Sequence, residues 1–306
     1  VNALFVGHTY IDMTMLTDVM PTGDEKMVAR DFAVSFGGNA VTAAFACAKL
    51  GISTDLLTTV SDDWLGQMFT NMAHQYGVSL YPRKVQRCSL SFVLPKAGKR
   101  AILRARDNVY MRTFMKLDVS CYQAVHLDGH QRDAALHYVK ACREAGILTS
   151  LDGGGVRANT EEVLHYTDVA VVAEAFCAEL KLTAAETLSY LHARGVKIAA
   201  VTEGEHGLLW SEDRGSIQRL PALHVPDEKV IDTSGAGDVF HGAYLASYLR
   251  SPSSPWAVHF DYARAASAFK VQHLGNEAGL PTEADVVATR LEYGGAHLEF
   301  AHVARR

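Results

Sequence analysis

Six short apolar runs, most followed by a helix-like stretch, constrain the fold of this chain more than any other feature: Ala3–Val6, Thr54–Val60, Ala124–Leu127, Ile147–Leu151, Val169–Val172 and Ile198–Val201. Runs this short read as buried strands, and their alternation with helices predicts an α/β fold, a doubly wound, mostly parallel sheet flanked by helices. Helix ends are legible as well. Asn39 is expected to cap a small-residue helix that stops at Gly51, Ser61 or Asp62 one that runs to Gly77, and Thr183 one that ends at Arg194 before Gly195.

Two stretches interrupt the alternation. Residues 12–36 and 86–106 read as strands and a hairpin, the second around the polar turn Lys96-Ala97-Gly98-Lys99. They are expected to pair as a small β-sheet lid over a body made of residues 1–11, 37–85 and 107–306. The alternative is two surface hairpins without a joint task.

Composition narrows the partners. With 48% hydrophobic and 21% charged residues, the chain can bury a large core and is not disordered. The 29 Lys plus Arg against 34 Asp plus Glu leave a net charge of −5, which exerts no long-range pull on nucleic acid or anionic lipid. No apolar run approaches the roughly 20 residues of a membrane span. The segment from Val1 lacks the basic region and cleavage site of a secretory signal, so a cytoplasmic location and small-molecule partners are expected. The 5 cysteines contain no C-x-x-C and the 14 histidines no H-E-x-x-H, which points away from disulfides and from a zinc motif.

In a doubly wound sheet, ligands bind beyond the carboxyl ends of the strands. The residues there are Gly7, His8 and Asp12; Asp128, Gly129 and His130; Asp152 with Gly153-Gly154-Gly155; and Thr202, Glu203 and Gly204. The strongest local signal comes later, where Val230-Ile231-Asp232 reads as a strand end before Thr233-Ser234-Gly235-Ala236-Gly237-Asp238. Glycines in such a turn let successive amides converge at a helix N-terminus and form an anion hole. Phe240 stands where a dinucleotide fingerprint needs its third glycine, and no Walker A loop occurs. A carboxylate beside an anion hole is a candidate proton acceptor for an attacking hydroxyl, although Asp238 can also simply complement the helix N-terminus.

These residues carry a resemblance. Asp232-Thr233-Ser234-Gly235-Ala236-Gly237-Asp238 resembles the C-terminal signature of the ribokinase-like (PfkB) carbohydrate kinases. Gly37-Gly38-Asn39-Ala40, Val60-Ser61-Asp62-Asp63-Trp64-Leu65-Gly66 and Val201-Thr202-Glu203-Gly204-Glu205-His206-Gly207 resemble its other motifs, in the family's order. Val28-Ala29-Arg30, Leu151-Asp152-Gly153 and Asp238-Val239-Phe240-His241-Gly242 are similar to the sulfofructose-kinase type, which has an arginine in the region where this chain has His130. The resemblance implies an ATP-dependent sugar kinase whose lid mediates a homodimer. Asp238 would be the base, and the amides of Gly235, Ala236 and Gly237 the anion hole. Asp12, Gly37, Gly38 and Asn39 would hold sugar hydroxyls, while Thr202, Gly204, Gly207, Ala265, Ala268 and Gln272 would line the nucleotide. Magnesium would bridge the ATP phosphates through water, and potassium would sit near Asp232 and Ser234.

Two departures follow from the same alignment. Glu174 and Cys177 occupy the Asn and Glu positions of the family's magnesium-organising segment, so Glu174 is the expected carboxylate there, and Pro226-Asp227-Glu228 lengthens the approach to Asp232. Arg100, Arg104 and Arg106 alternate along one predicted strand and share a face. If that face covers the sugar, Arg104 or Arg106, with His130 across the site, would meet a carboxylate, phosphate or sulfonate; otherwise they keep an exposed edge soluble. A nucleoside kinase of the same fold and a non-catalytic sugar or nucleotide sensor are the alternatives.

Overall fold

The computed structural model describes residues 2–17, 19, 22–96 and 99–294. In chain order the first elements are β1 (Asn2–Val6), β2 (Tyr10–Leu16), β3 (Asp31–Gly37), α1 (Asn39–Lys49), β4 (Ser53–Val60), α2 (Trp64–Gln75), β5 (Val78–Lys84), β6 (Ser89–Lys96) and β7 (Lys99–Ala105). There follow β8 (Ala124–Leu127), α3 (Arg132–Ala145), β9 (Leu148–Gly153), α4 (Thr160–Leu164), β10 (Val169–Ala173), α5 (Glu174–Leu180), α6 (Ala184–Ala193) and β11 (Ile198–Thr202). The chain then forms β12 (Leu208–Glu212), β13 (Gln218–Leu220), α7 (Ala236–Arg250), α8 (Trp256–Lys270) and α9 (Glu283–Tyr293).

Each of the six apolar runs lies in a strand of one large sheet, ordered β13-β12-β11-β10-β9-β8-β1-β4-β5. The pairings from β11 across to β5 are parallel, and β12 and β13 add an antiparallel edge. The period of two along β1 sends Ala3 and Phe5 into the core on one face, and Leu4 and Val6 into the core on the other. Helix α7 is apolar on nearly every side because it lies between α1 and α8, and Gly242 sets its depth: a Cβ there would meet the Ala43 carbonyl oxygen at 2.3 Å.

The second sheet has the order β3-β2-β6-β7. Its β2–β6 pairing is parallel, unlike the antiparallel pairs at its two edges. The cause is continuity: β2 and β6 each leave a parallel body strand, β1 and β5, after a few residues and keep its direction. The turn at 97 and 98 and the side chain of Arg100, both part of the expected hairpin, lie outside the described residues.

Several expected ends move. Gly38, at φ 104°, is the N-cap of α1 and Asn39 is its first residue, so the Asn39 side chain is released from capping. Asp63 caps α2 by accepting the Gly66 N–H at 2.8 Å, one or two residues after the position read from sequence. Thr183 does cap α6, in a reciprocal box with Glu186. Val230-Ile231-Asp232 is not a strand; the N–H groups of Ile231 and Asp232 both donate to the Val271 carbonyl, after a short 3₁₀ turn at Asp227–Lys229. Among the described residues no helix is long and apolar enough to cross a membrane.

Candidate active site

The carboxyl ends of the parallel strands and the inner face of the small sheet meet over α7. Asp12, in the middle of β2, looks into this space, and Gly37 in β3 is glycine because a Cβ there would fall 2.3 Å from the Asp12 carboxyl group. Gly38 is held tightly as well, its missing Cβ pointing 2.1 Å from the His8 carbonyl oxygen. Asn276, in the loop after α8, donates its side-chain amide to Asp12 Oδ2 at 3.0 Å and to the Phe36 carbonyl at 2.8 Å. Burial pushes the Asp12 carboxyl up to about 6, against the lowering effect of the Arg104 charge and the Asn276 bond.

Asn276 also reaches the glycine turn. Its Oδ1 lies so near Gly235 that a Cβ on Gly235 would approach it to 2.2 Å, and Gly235 adopts φ 74° as the N-cap of α7. Asp238 sits in the first turn of that helix, partly exposed, with Gly237 open to solvent beside it. First-turn N–H groups have no acceptor within the helix, and the helix dipole adds partial positive charge at this point. The Ala236 N–H leans back on the Thr233 carbonyl at 3.4 Å, a long bond. The turn therefore brings the N-terminal N–H groups of α7 and the Asp238 carboxylate together.

Immediately behind this turn the position expected for potassium is already filled. Lys270, wholly buried at the end of α8, donates to the Asp232 carbonyl at 3.0 Å and the His273 carbonyl at 3.2 Å, and its ammonium stands 3.4 Å from Asp232 Oδ2. Asp232 further accepts the N–H of Ser234 at 2.8 Å and of Gly275 at 3.0 Å. Both carboxylate oxygens are thus committed, and the ligand set of two carbonyls and a carboxylate already surrounds one positive charge. The expectation of an added monovalent ion at Asp232 and Ser234 is corrected on that ground. Gly279 makes room for the lysine stem, since a Cβ there would meet Lys270 Cδ at 2.0 Å.

At the opposite end of the space stands a polar group of which the sequence revealed only parts. Asp128, after β8, accepts backbone N–H groups from His8 (3.2 Å), Ala40 (3.4 Å) and His130 (3.0 Å), tying three segments together. Gly7 is glycine for the same reason, its Cβ position being 2.4 Å from Asp128 Oδ2. The rings of His8 and His130 lie 5.8 Å apart and those of His8 and Tyr10 5.1 Å apart. Both histidines are held neutral, His8 down at about 4 and His130 at about 2, chiefly by burial and then by neighbouring charge. Arg104 and Arg106 of the small-sheet end place their guanidinium carbons 5.2 and 5.6 Å from the Tyr10 ring, and Arg106 hydrogen-bonds the Tyr10 hydroxyl. Arg157, absent from the sequence reading, donates Nε–H to the Asp128 carbonyl at 2.8 Å. Its only sequence signal was its place just after Gly153-Gly154-Gly155.

Asn39 donates its released amide to Asp152 at 3.2 Å. Behind Asp152 stand His241 of α7, 3.5 Å away, and His126 of β8, whose rings are 5.1 Å apart. Their Nδ1 atoms contact Tyr244 and Ser150 hydroxyls, which themselves lie 2.5 Å apart, and Asp152, His126 and His241 each bring one polar side-chain atom within 4.8 Å of the other two. Burial pushes both histidines down to about 3 and the Asp152 carboxyl up. No motif spacing signals this cluster, because its members come from three separate elements.

The nucleotide side is less uniform. Thr202 ends β11, Gly204 is exposed at φ 55°, and Gly207 adopts φ 96° with a Cβ position 2.2 Å from the Leu220 carbonyl. Glu174 is the exposed first residue of α5, at the carboxyl end of β10. Ala265 is fully enclosed in the core and presents no atom to a ligand, which corrects that expectation, and Ala268 is nearly as buried. Gln272 spends its side chain on the Ala268 carbonyl and the Tyr293 hydroxyl.

The fold is the ribokinase-like one. A family model for pfkB family carbohydrate kinases matches residues 2–283, and the chain belongs to that family. It is 27% identical over 301 residues to an ATP-dependent ribose-1-phosphate kinase of Halopiger xanaduensis, covering 95% of this chain and 98% of the relative. It is 26% identical to a cytidine kinase of Thermococcus kodakarensis, over 88% of this chain and 96% of the relative. The structure of a putative ribokinase from Agrobacterium tumefaciens superimposes with a TM-score of 0.83 at 25% identity, covering 95% of this chain and 98% of that one.

Proposed function

We propose that this protein is an ATP-dependent kinase that transfers the γ-phosphoryl group to a hydroxyl of a sugar. The observation that carries this reading is the placement of Asp238 in the first turn of α7, beside Gly235, against which Asn276, the donor to Asp12, packs. Asp12 and Asn39 orient the acceptor through its hydroxyls. Asp238 takes the proton of the reacting hydroxyl as its oxygen attacks the γ-phosphorus. The bond from that phosphorus to the β-phosphate bridging oxygen breaks, ADP leaves, and the amides of Gly235, Ala236 and Gly237 stabilise charge on the group in flight. Thr202, Gly204 and Gly207 border the nucleotide.

Glu174 suits a magnesium ion held mainly by water and phosphate: a single exposed carboxylate, without an ion pair among the described residues, is what such a site supplies. That ion would neutralise charge on the ATP phosphates. The protein is further proposed to act in the cytoplasm and to form a homodimer through the small sheet.

The test is Asp238→Asn, followed by coupled ATP consumption over ketoses, aldoses, sugar acids and nucleosides. Turnover is expected to fall by about 10²- to 10⁴-fold with nucleotide binding retained. Full turnover in the variant would refute the assignment, and a wild-type chain that binds ligands without turnover would be a sensor. A nucleoside acceptor is the second reading, favoured by the likeness to the cytidine kinase, and the same screen separates it.

A further inference from the structure

The two ends of the acceptor space differ in charge. Near α7 the groups are carboxylates and amides, the equipment for neutral hydroxyls. Around His130 three guanidinium groups gather instead. Pairing in the small sheet places Ser91 opposite both Asp12 and Arg104, so Arg104 shares the face of Asp12, and Arg106, two residues on, shares it too. Arg157 approaches the same point from the body side of the cleft.

These cations are poorly matched from within. Arg104 makes no hydrogen bond or ion pair with the described residues; it covers the Tyr10 ring, and its charge is felt by Asp12 and His130. Arg106 uses one N–H on the Tyr10 hydroxyl, and Arg157 one N–H on a carbonyl. The nearby carboxylates make their hydrogen bonds with other groups: Asp128 with three amides, Asp107 with the amides of Arg87 and Val109, and Asp12 with Asn276. The histidine between them is neutral, a donor or acceptor without charge. A neutral sugar gives no return for holding three fixed charges with open N–H groups at one spot, whereas an oxyanion accepts from several guanidinium groups at once.

We propose that the acceptor carries an oxyanion, a phosphate, carboxylate or sulfonate, at the end remote from the hydroxyl that is phosphorylated, and that Arg104, Arg106 and Arg157 bind it beside His130. This deepens the kinase reading above and rests on it. The product would then bear a charged group at each end, so the reaction before this one must install an anionic group on a sugar or oxidise one to an acid.

The experiment pairs neutral sugars with their phosphate, carboxylate and sulfonate derivatives as acceptors for the wild type, Arg104→Gln and Arg157→Gln. At least one charged member should exceed its neutral partner in kcat/KM. Each variant should raise KM for that member on the order of 10- to 100-fold, at least tenfold more than it raises KM for the neutral partner. Equal or better use of neutral sugars, or a variant effect shared by both classes, overturns the proposal. If no acceptor is phosphorylated, the kinase reading falls separately, and inorganic sulfate is then titrated calorimetrically with a non-hydrolysable ATP analogue filling the α7 turn. Binding lost in both variants supports the subsite, whereas absent or unaltered binding overturns it. Sulfate binding combined with a preference for neutral acceptors would mark a separate anion effector, also against the proposal.

Discussion

Replacing Lys270 with methionine removes one charge from behind the Gly235-Ala236-Gly237 turn while keeping most of the side-chain volume. The ammonium is fully buried, its partner Asp232 is 1% exposed, and three donor contacts vanish together. The Ser234 and Gly275 amides remain on Asp232, so the stranded carboxylate keeps two of its hydrogen bonds. Breaking a buried pair on one side costs about 3–5 kcal/mol. For a chain of this size that corresponds to a fall in Tm of roughly 5–8 °C, measured by differential scanning calorimetry. Lys270→Met/Asp232→Asn should recover part of the loss, because the unmatched charge is then gone. The same geometry makes wild-type turnover insensitive to exchanging potassium for sodium or choline. A variant that melts within about 2 °C of wild type, or potassium activation of the wild type above about tenfold, would refute the reasoning.

Two other outcomes follow from the site and the sheet. Asp12 titrates at about 6 in the folded protein because of burial, so its charged form is lost as pH falls through that value, and KM for the acceptor should rise about fivefold between pH 6 and 5. The linked stability term has the opposite sense: the folded state binds this proton more tightly than the unfolded chain, so the contribution is present below about 4 and lost as pH rises through about 6. Acceptor KM measured from pH 5 to 8 in wild type and Asp12→Asn tests this; a flat wild-type profile counts against it. On the outer face of the small sheet, Met13, Phe92 and Leu103 form one cross-strand row with Leu103 75% exposed, beside a groove of about 340 Å³. Leu103→Glu should convert a dimer to a folded monomer in analytical ultracentrifugation, and a monomeric wild type would remove the basis for lid-to-lid pairing.

The body was readable because parallel strands buried on both faces must be short and continuously apolar, as at Val169–Val172 and Ile198–Val201, whereas Val230-Ile231, only two residues long, was a false match. The Gly235-Ala236-Gly237-Asp238 turn was readable because a left-handed glycine before a helix has few other uses. Asn39 was misplaced by one position because sequence cannot tell a capping asparagine from one whose amide is claimed by a distant carboxylate. Arg157, Lys270 and Asn276 were not recognised because each acts through a partner far along the chain: Asp128, Asp232 and Asp12 respectively. Lys270 carried one overlooked sign, a lone cation in an otherwise apolar helical stretch after Ala265, Ala266 and Ala268.

The continuity of β1 with β2 and of β5 with β6 means that the covering sheet is grafted onto the body by short seams. Asp12 and Arg104 ride on the graft, whereas Asn39, Arg157, Gly235 and Asp238 belong to the trunk. Exchanging the grafted strands would therefore reshape one wall of the space and leave the other standing.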